Sequence, residues 1–189
     1  KKWFLEEFTK EFKKEKPSVV PAVYPFNFID EKKQKIFSFG GISNSETILC
    51  EEDYLVKYKS DRFGFNNPDE IWDDKKKNVL LIGDSFTHGD CVFPENNIRS
   101  KIQKYSSNLS VLNLGIGGSG SLMQYAILKE YYNLVNPEKV LWIYFENDIY
   151  DLIFEKRNYI LNNYLKDNNF KQNIINKQKE IDKKLIISF

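Results

Sequence analysis

The sequence is poor in the residues that most often carry metal and redox chemistry: one histidine, His88, and two cysteines, Cys50 and Cys91, far apart along the chain. Cysteines so few and so separated offer neither the paired spacing of a zinc site nor a disulfide framework. No metal and no cofactor is expected, and a reducing compartment is favoured, with a single bridge left open. Neither sign of charge prevails, since 28 Lys and Arg face 27 Asp and Glu for a net charge of +1. That balance lacks the basic footprint of a nucleic-acid binder. No run approaches the roughly 20 apolar residues of a membrane span, and no secretory leader pattern opens the chain. The chain reads as soluble as given, cytoplasmic or anchored through a segment outside these residues.

What is present is the material of one globular domain: 189 residues, 41% hydrophobic and 15% aromatic, enough to bury a core. Phe4, Phe8 and Phe12 predict a helix over residues 3–15, closed by Pro17. Its flanking lysines allow a membrane-surface reading, but packing on its own domain is the simpler one. Residues 19–72 read as short strands and turns, a lead-in that wraps a larger unit. We divide the chain into an N-terminal helix and lead-in, 1–75, and an α/β domain, 76–189.

In the second part VLLIG (79–83), VLNLG (111–115) and VLWIYF (140–145) are near-continuous apolar runs, the pattern of parallel strands buried on both faces. Segments of helical length, 94–106 and 119–134, separate them, and the tail from Ile149 onward reads as two or three helices. This alternation predicts a three-layer α/β/α sandwich around a parallel, flavodoxin-like sheet, with an irregular lead-in and a helical tail. In such folds the working site lies at the carboxyl ends of the strands. Here those ends are Gly83-Asp84-Ser85, Gly115 to Gly120, and Glu146-Asn147-Asp148.

A serine hydroxyl needs a base to take its proton and donors to receive the charge that develops on the substrate oxygen. Ser85, just past a strand and at a helix start, has backbone N–H groups beside it. The glycines of the second strand end allow close backbone approach, and Asn147 offers a side-chain N–H. Each feature alone could be a turn or a cap; three on successive strand ends favour one shared site.

These blocks resemble the SGNH (GDSL-type) hydrolase family. GDS at 83–85 matches its first block, VLNLGIGGSG its second and ENDIYDL its third, while YKSDRFGFNNPDEIWD resembles a lead-in of bacterial members. The resemblance covers about residues 55–155. It implies Ser85 as nucleophile, with the Ser85 N–H, Gly118 and Asn147 forming the oxyanion hole, and an acyl ester as substrate, small-molecule or carbohydrate. Two departures accompany it. Phe145 and Glu146 stand where the family has a glycine shortly before the asparagine, and no histidine follows His88, so the family's Asp-x-x-His base block is missing.

Three accounts follow: the base lies beyond Phe189, the protein binds without turnover, or His88 serves as base. The first is preferred, and His88 is expected to be structural or to line the pocket. Asp84 is expected to order the turn and not to orient a base. A rival reading takes Gly115, Gly117 and Gly120 as a dinucleotide fingerprint. There the acidic residue that holds the ribose should lie about 20 positions on, and Glu146 lies further away, 26 after Gly120.

Overall fold

The computed structural model describes residues 19–30, 34–51, 55–74, 79–106 and 108–188; the helix expected over 3–15 lies outside them. The lead-in forms a three-stranded sheet. In it β1 (Val19–Pro21) runs parallel to β2 (Glu46–Glu51), which pairs antiparallel with β3 (Leu55–Lys59). Along β3 the side chains alternate: Val56 and Tyr58 are buried, and Leu55, Lys57 and Lys59 face water. One face therefore packs on the domain and the other stays wet.

The second sheet is all-parallel, with strand order β5-β4-β6. Its centre is β4 (Val79–Gly83), every residue of which is buried, and β5 (Val111–Asn113) is likewise fully buried. The helices α1 (Ser85–His88), α2 (Ile98–Tyr105) and α3 (Ser121–Val135) fall between the strands, β6 (Lys139–Ile143) follows, and α4 (Asn147–Glu155), α5 (Tyr159–Lys166) and α6 (Gln178–Ile187) make the tail. The chain is thus a mixed α/β fold. Strand β6 departs from expectation: the apolar run predicts burial on both faces, yet Leu141 and Trp142 are exposed at one edge of the sheet, whereas β5 at the other edge is fully buried.

Alternate residues of β4 serve two cores, as the strand's period of two requires. Leu80 and Ile82 join the main core with Leu112, Leu114 and α3 residues Met123 and Ile127, while Val79 and Leu81 pack with Val111, Ile98 and Ile102 on the other side. The main core also takes Phe37, Phe39 and Phe65 from the lead-in and Tyr164, Ile181 and Leu185 from the tail. The tail clamps the lead-in through polar groups as well. Gln172 exchanges two hydrogen bonds with the backbone of Phe37, and the Asp182 carboxylate accepts from both the N–H and hydroxyl of Ser43. Cys91 is disulfide-bonded, the single bridge that cysteine usage left open.

Within the stretch DRFGFNNPDEIW one buried carboxylate organises everything around it. Asp61 Oδ1 accepts the backbone N–H groups of Phe63 and Phe65, and Oδ2 accepts Asn67 Nδ2 and Trp72 Nε1, all at 2.8–2.9 Å. Burial raises the Asp61 carboxyl to about 6 against the pull of these four donors. Asn67 then passes the order on: its Oδ1 accepts the N–H of Asn113 in β5, and its Nδ2 also donates to the Asn113 carbonyl.

Removing the carboxylate leaves four buried donors unsatisfied, at about 1–3 kcal/mol each. D61A is therefore expected to lose at least about 3 kcal/mol of stability in urea titration. R62A, which breaks a partly exposed ion pair with Asp69 and Asp73, is expected to cost about 1 kcal/mol or less.

Candidate functional site

The three strand ends converge on Gly83. A side chain there would meet Thr87 Oγ1 at 2.1 Å and the Ile143 carbonyl of β6 at 2.7 Å. Gly115, past the end of β5, is held the same way: a Cβ would lie 2.5 Å from Thr87 Cβ and 2.6 Å from the His88 nitrogen. The Gly83 carbonyl accepts the Ile116 N–H at 3.2 Å and the Ser119 hydroxyl at 3.2 Å. Thr87 thus fills the notch between two strands that glycine leaves open, and α1 sits directly on the sheet. That contact brings the GDS turn, the glycine loop and the exit of β6 together.

Ser85 is the first residue of α1 and is partly exposed. Asp84 is the N-cap; its Oδ1 accepts the Phe86 N–H at 3.0 Å. Its role is to order the turn. The helix lasts one turn, ending at Gly89 in the left-handed conformation, φ +87°, so its dipole is small and the donors beside Ser85 act as individual N–H groups. Gly118 lies in the loop between β5 and α3 with φ +70°, a conformation that only glycine adopts without strain. Asn147 opens α4 near Asp84, and its Nδ2 donates to Asp151 Oδ2 at 3.1 Å. Burial raises both the Asp84 and Asp151 carboxyls, and the nearby Asp148 charge adds to each rise.

Where the family has a glycine before the asparagine, Phe145 packs its ring 4.7 Å from that of Phe86. Its N–H donates to Asp148 Oδ2 at 2.9 Å, while Asp148 Oδ1 accepts Gln124 Nε2 at 2.8 Å. Gln124 Oε1 in turn accepts Trp142 Nε1 at 2.5 Å. The third block is therefore tied to α3 by a polar chain, and two aromatic rings stand beside Ser85.

His88 does not serve Ser85. Its ring is fully buried; Nδ1 lies 2.8 Å from Asp90 Oδ1 and 3.3 Å from the Gly117 N–H, and Nε2 lies 3.2 Å from the Tyr58 hydroxyl. Both nitrogens are occupied. The ring holds the glycine loop against β3 of the lead-in, and Tyr24, its hydroxyl raised to about 12 by burial and by Asp90, belongs to the same cluster.

Reasoning on the sequence missed three site-building residues. Asn113 donates from Nδ2 to the Thr87 carbonyl at 2.7 Å and accepts the Gly115 N–H at 2.8 Å, and Asn66 donates to the His88 carbonyl at 3.0 Å. The signal for Asn113 was a polar residue within a buried apolar run. Glu155 was missed entirely. Eight residues beyond Asn147, it is fully buried at the N-terminus of α3, where Oε1 accepts the Gly120 N–H and Oε2 those of Leu122 and Met123. No capping residue precedes α3, because Gly120 is its N-cap; the cap comes from another helix.

This disposes of the dinucleotide reading. The N–H groups that a pyrophosphate would use are taken by a carboxylate, and the space beside Gly117 and Gly120 is filled by Tyr24, Asp90, Asp151 and Glu155. A cavity of about 350 Å³ between β3 and α2 is lined by Tyr58, Lys59, Glu95 and Arg99 but not by Ser85; its Arg99 is already bonded to the Val111 carbonyl. Among the described residues no cluster of three or more histidine, cysteine or carboxylate groups is placed to hold a metal ion. No helix there is long and apolar enough to cross a membrane. Comparison with family models, curated proteins and solved structures finds no match.

Burial raises Glu155 from 4.5 to about 7, outweighing its three N–H donors. A carboxyl whose folded value lies above its unfolded one binds its proton more tightly in the native state. Its contribution to stability is full below about 4.5 and is lost as pH rises through about 7. The fall is expected to be on the order of 2–3 kcal/mol. Stability measured by urea titration at several pH values should therefore decline more steeply from pH 4.5 to 7.5 in the wild type than in E155Q, which does not titrate.

Proposed function

We propose that this chain is a serine hydrolase of the SGNH (GDSL) type acting on acyl esters, with its parallel sheet forming the middle layer of an α/β/α sandwich of flavodoxin-like kind. The observation that carries the reading is the convergence on Gly83 of the Thr87 notch, the Ile116–Ser119 loop and the end of β6. Ser85, Gly118 and Asn147 each stand within a few residues of that point, on three separate strand ends. The packing of α2 on one face of the sheet and α3 on the other supports the layered arrangement.

In this reading the Ser85 hydroxyl attacks the ester carbonyl carbon, the carbonyl electrons move onto oxygen, and the N–H groups of Ser85 and Gly118 with Asn147 Nδ2 receive that charge. The serine proton passes to a histidine outside these residues, which delivers it to the leaving alcohol; water then releases the acid from Ser85. Phe86 and Phe145 offer an apolar wall to the acyl group. To serve the oxyanion, Asn147 must turn its Nδ2 from Asp151 toward the substrate. A carboxylate there opposes the negative charge of the transition state, so protonation of Asp151 favours the reaction.

A second reading, a protein that binds an acylated small molecule or carbohydrate without turnover, is favoured by the same two facts: the single histidine is committed to Asp90 and Tyr58, and the asparagine amide is tied to a carboxylate. The two readings part on reactivity. With p-nitrophenyl acetate and a fluorophosphonate probe, the hydrolase reading expects one covalent adduct by intact mass on a protein whose mass exceeds 22.4 kDa and so carries the base, lost in S85A. A chain of 22.4 kDa acting without a base is expected to turn over about 10⁴- to 10⁶-fold more slowly than a complete triad. A protein that forms no adduct and hydrolyses ester no faster than S85A would leave the binding reading alone.

A further inference from the structure

Gln124 is a polar residue in an apolar place. It lies on α3 and is fully buried, like its neighbours Leu122, Met123, Ala126 and Ile127. An amide withdrawn from water is costly unless its groups find partners, and here both ends of it are committed. Nε2 donates to the Ser119 carbonyl and to Asp148 Oδ1, each at 2.8 Å, and Oε1 accepts Trp142 Nε1 at 2.5 Å.

The partners come from three separate segments. Ser119 directly follows Gly118 in the loop after β5, Trp142 belongs to β6, and Asp148 directly follows Asn147 in α4. One side chain therefore spans the loop that carries the Gly118 N–H and the helical turn that carries the Asn147 amide. The Ser119 hydroxyl extends the link to the first strand end, lying 3.2 Å from the Gly83 carbonyl, two residues before Ser85. On the other side Asp148 Oδ2 accepts the Phe145 N–H at 2.9 Å, so the turn from β6 into α4 is closed by a carboxylate that Gln124 anchors. Glu155 joins α4 to the same loop further off, at Gly120; Gln124 joins them at the residues adjoining Gly118 and Asn147.

We infer, resting on the serine-hydrolase reading above, that Gln124 is a positioning residue for the oxyanion hole. By holding the residue after Gly118 and the residue after Asn147, it sets the spacing between the two donors. It touches no reacting atom. Because it bonds Asp148 and not Asn147, the first turn of α4 is held while the Asn147 side chain keeps the rotation that takes it from Asp151 to the substrate. Donors that share one oxygen depend on such spacing: a misplacement of about 1 Å costs about 10²-fold in rate, and loss of one donor about 10²- to 10³-fold.

The test is the rate of fluorophosphonate labelling at Ser85, followed by intact mass on the same protein used for the ester assay. Wild type, Q124M, N147A and the double variant are compared, with circular dichroism confirming that each is folded. Q124M keeps the length of the side chain and removes its polar groups; it is expected to label about 10²-fold more slowly. In the N147A background the same change is expected to cost about 10-fold or less, because residues that act through one another are not additive. Should Q124M fail to fold, W142F removes only the bond to Oε1, from a residue that is more than two-fifths exposed, and is expected to label about 2- to 10-fold more slowly. A folded Q124M that labels at the wild-type rate, or a W142F that does so where Q124M does not fold, would overturn the positioning role and leave the hydrolase reading standing. Losses that simply add in the double variant would mark a packing role and overturn it too. A wild type that forms no adduct would remove the hydrolase reading and this inference together.

Discussion

The arrangement depends on one buried carboxylate. Among the described residues no cation lies against Asp61; four N–H donors from the same short stretch satisfy it. A buried charge is tolerated when its hydrogen bonds are complete and becomes a liability when one is lost. By fixing Asn67, Asp61 orients the side chain that pairs with Asn113, and Asn113 bonds the Thr87 carbonyl and the Gly115 N–H. Three links, Asp61 to Asn67, Asn67 to Asn113 and Asn113 to Thr87, therefore run from the lead-in to the helix that carries Ser85. The lead-in is part of the site's construction and not a wrapper around it.

The same logic recurs at the other strand ends. Glu155 caps α3 across a helix boundary, Asp148 holds the Phe145 N–H and Gln124, and His88 holds the glycine loop against Tyr58. Each group is polar, buried and met by donors or acceptors from a different element. Hydrophobic burial supplies the stability of the two cores, but it is non-directional; hydrogen-bonded polar groups set the angles at which the strand ends meet. The serine-hydrolase reading depends on those angles, since Gly118 and Asn147 can share a substrate oxygen only if their loops are held together.

His88 illustrates how far residue type can mislead. A histidine three positions from a candidate nucleophile invites the role of base, and helical spacing brings such residues to one face. Here the helix is a single turn and the ring points into the seam between the two sheets, where Asp90, Tyr58 and Gly117 occupy it. The chemistry of an imidazole is decided by what reaches its two nitrogens.

Much of the fold was legible in the chain. The apolar runs marked β4, β5 and β6, the 3.6-residue spacing marked α3 and the tail helices, and Gly-Asp-Ser at a strand end marked the turn that bears Ser85, because these depend on local periodicity and on backbone preferences within a few residues. The bounds differed where local signals are weakest: VLNLG is strand only to Asn113, since Asn113 turns its side chain back onto Gly115. Three things were decided only by tertiary structure. Asn67 and Glu155 find their roles through partners that packing brings near, Asn113 for the one and Gly120 for the other, each over thirty residues away in sequence. His88 is committed by Asp90, Gly117 and, from a separate sheet, Tyr58. And the apolar run of β6 states that the strand should be covered on both faces, while the packing leaves Leu141 and Trp142 exposed at an edge of the sheet.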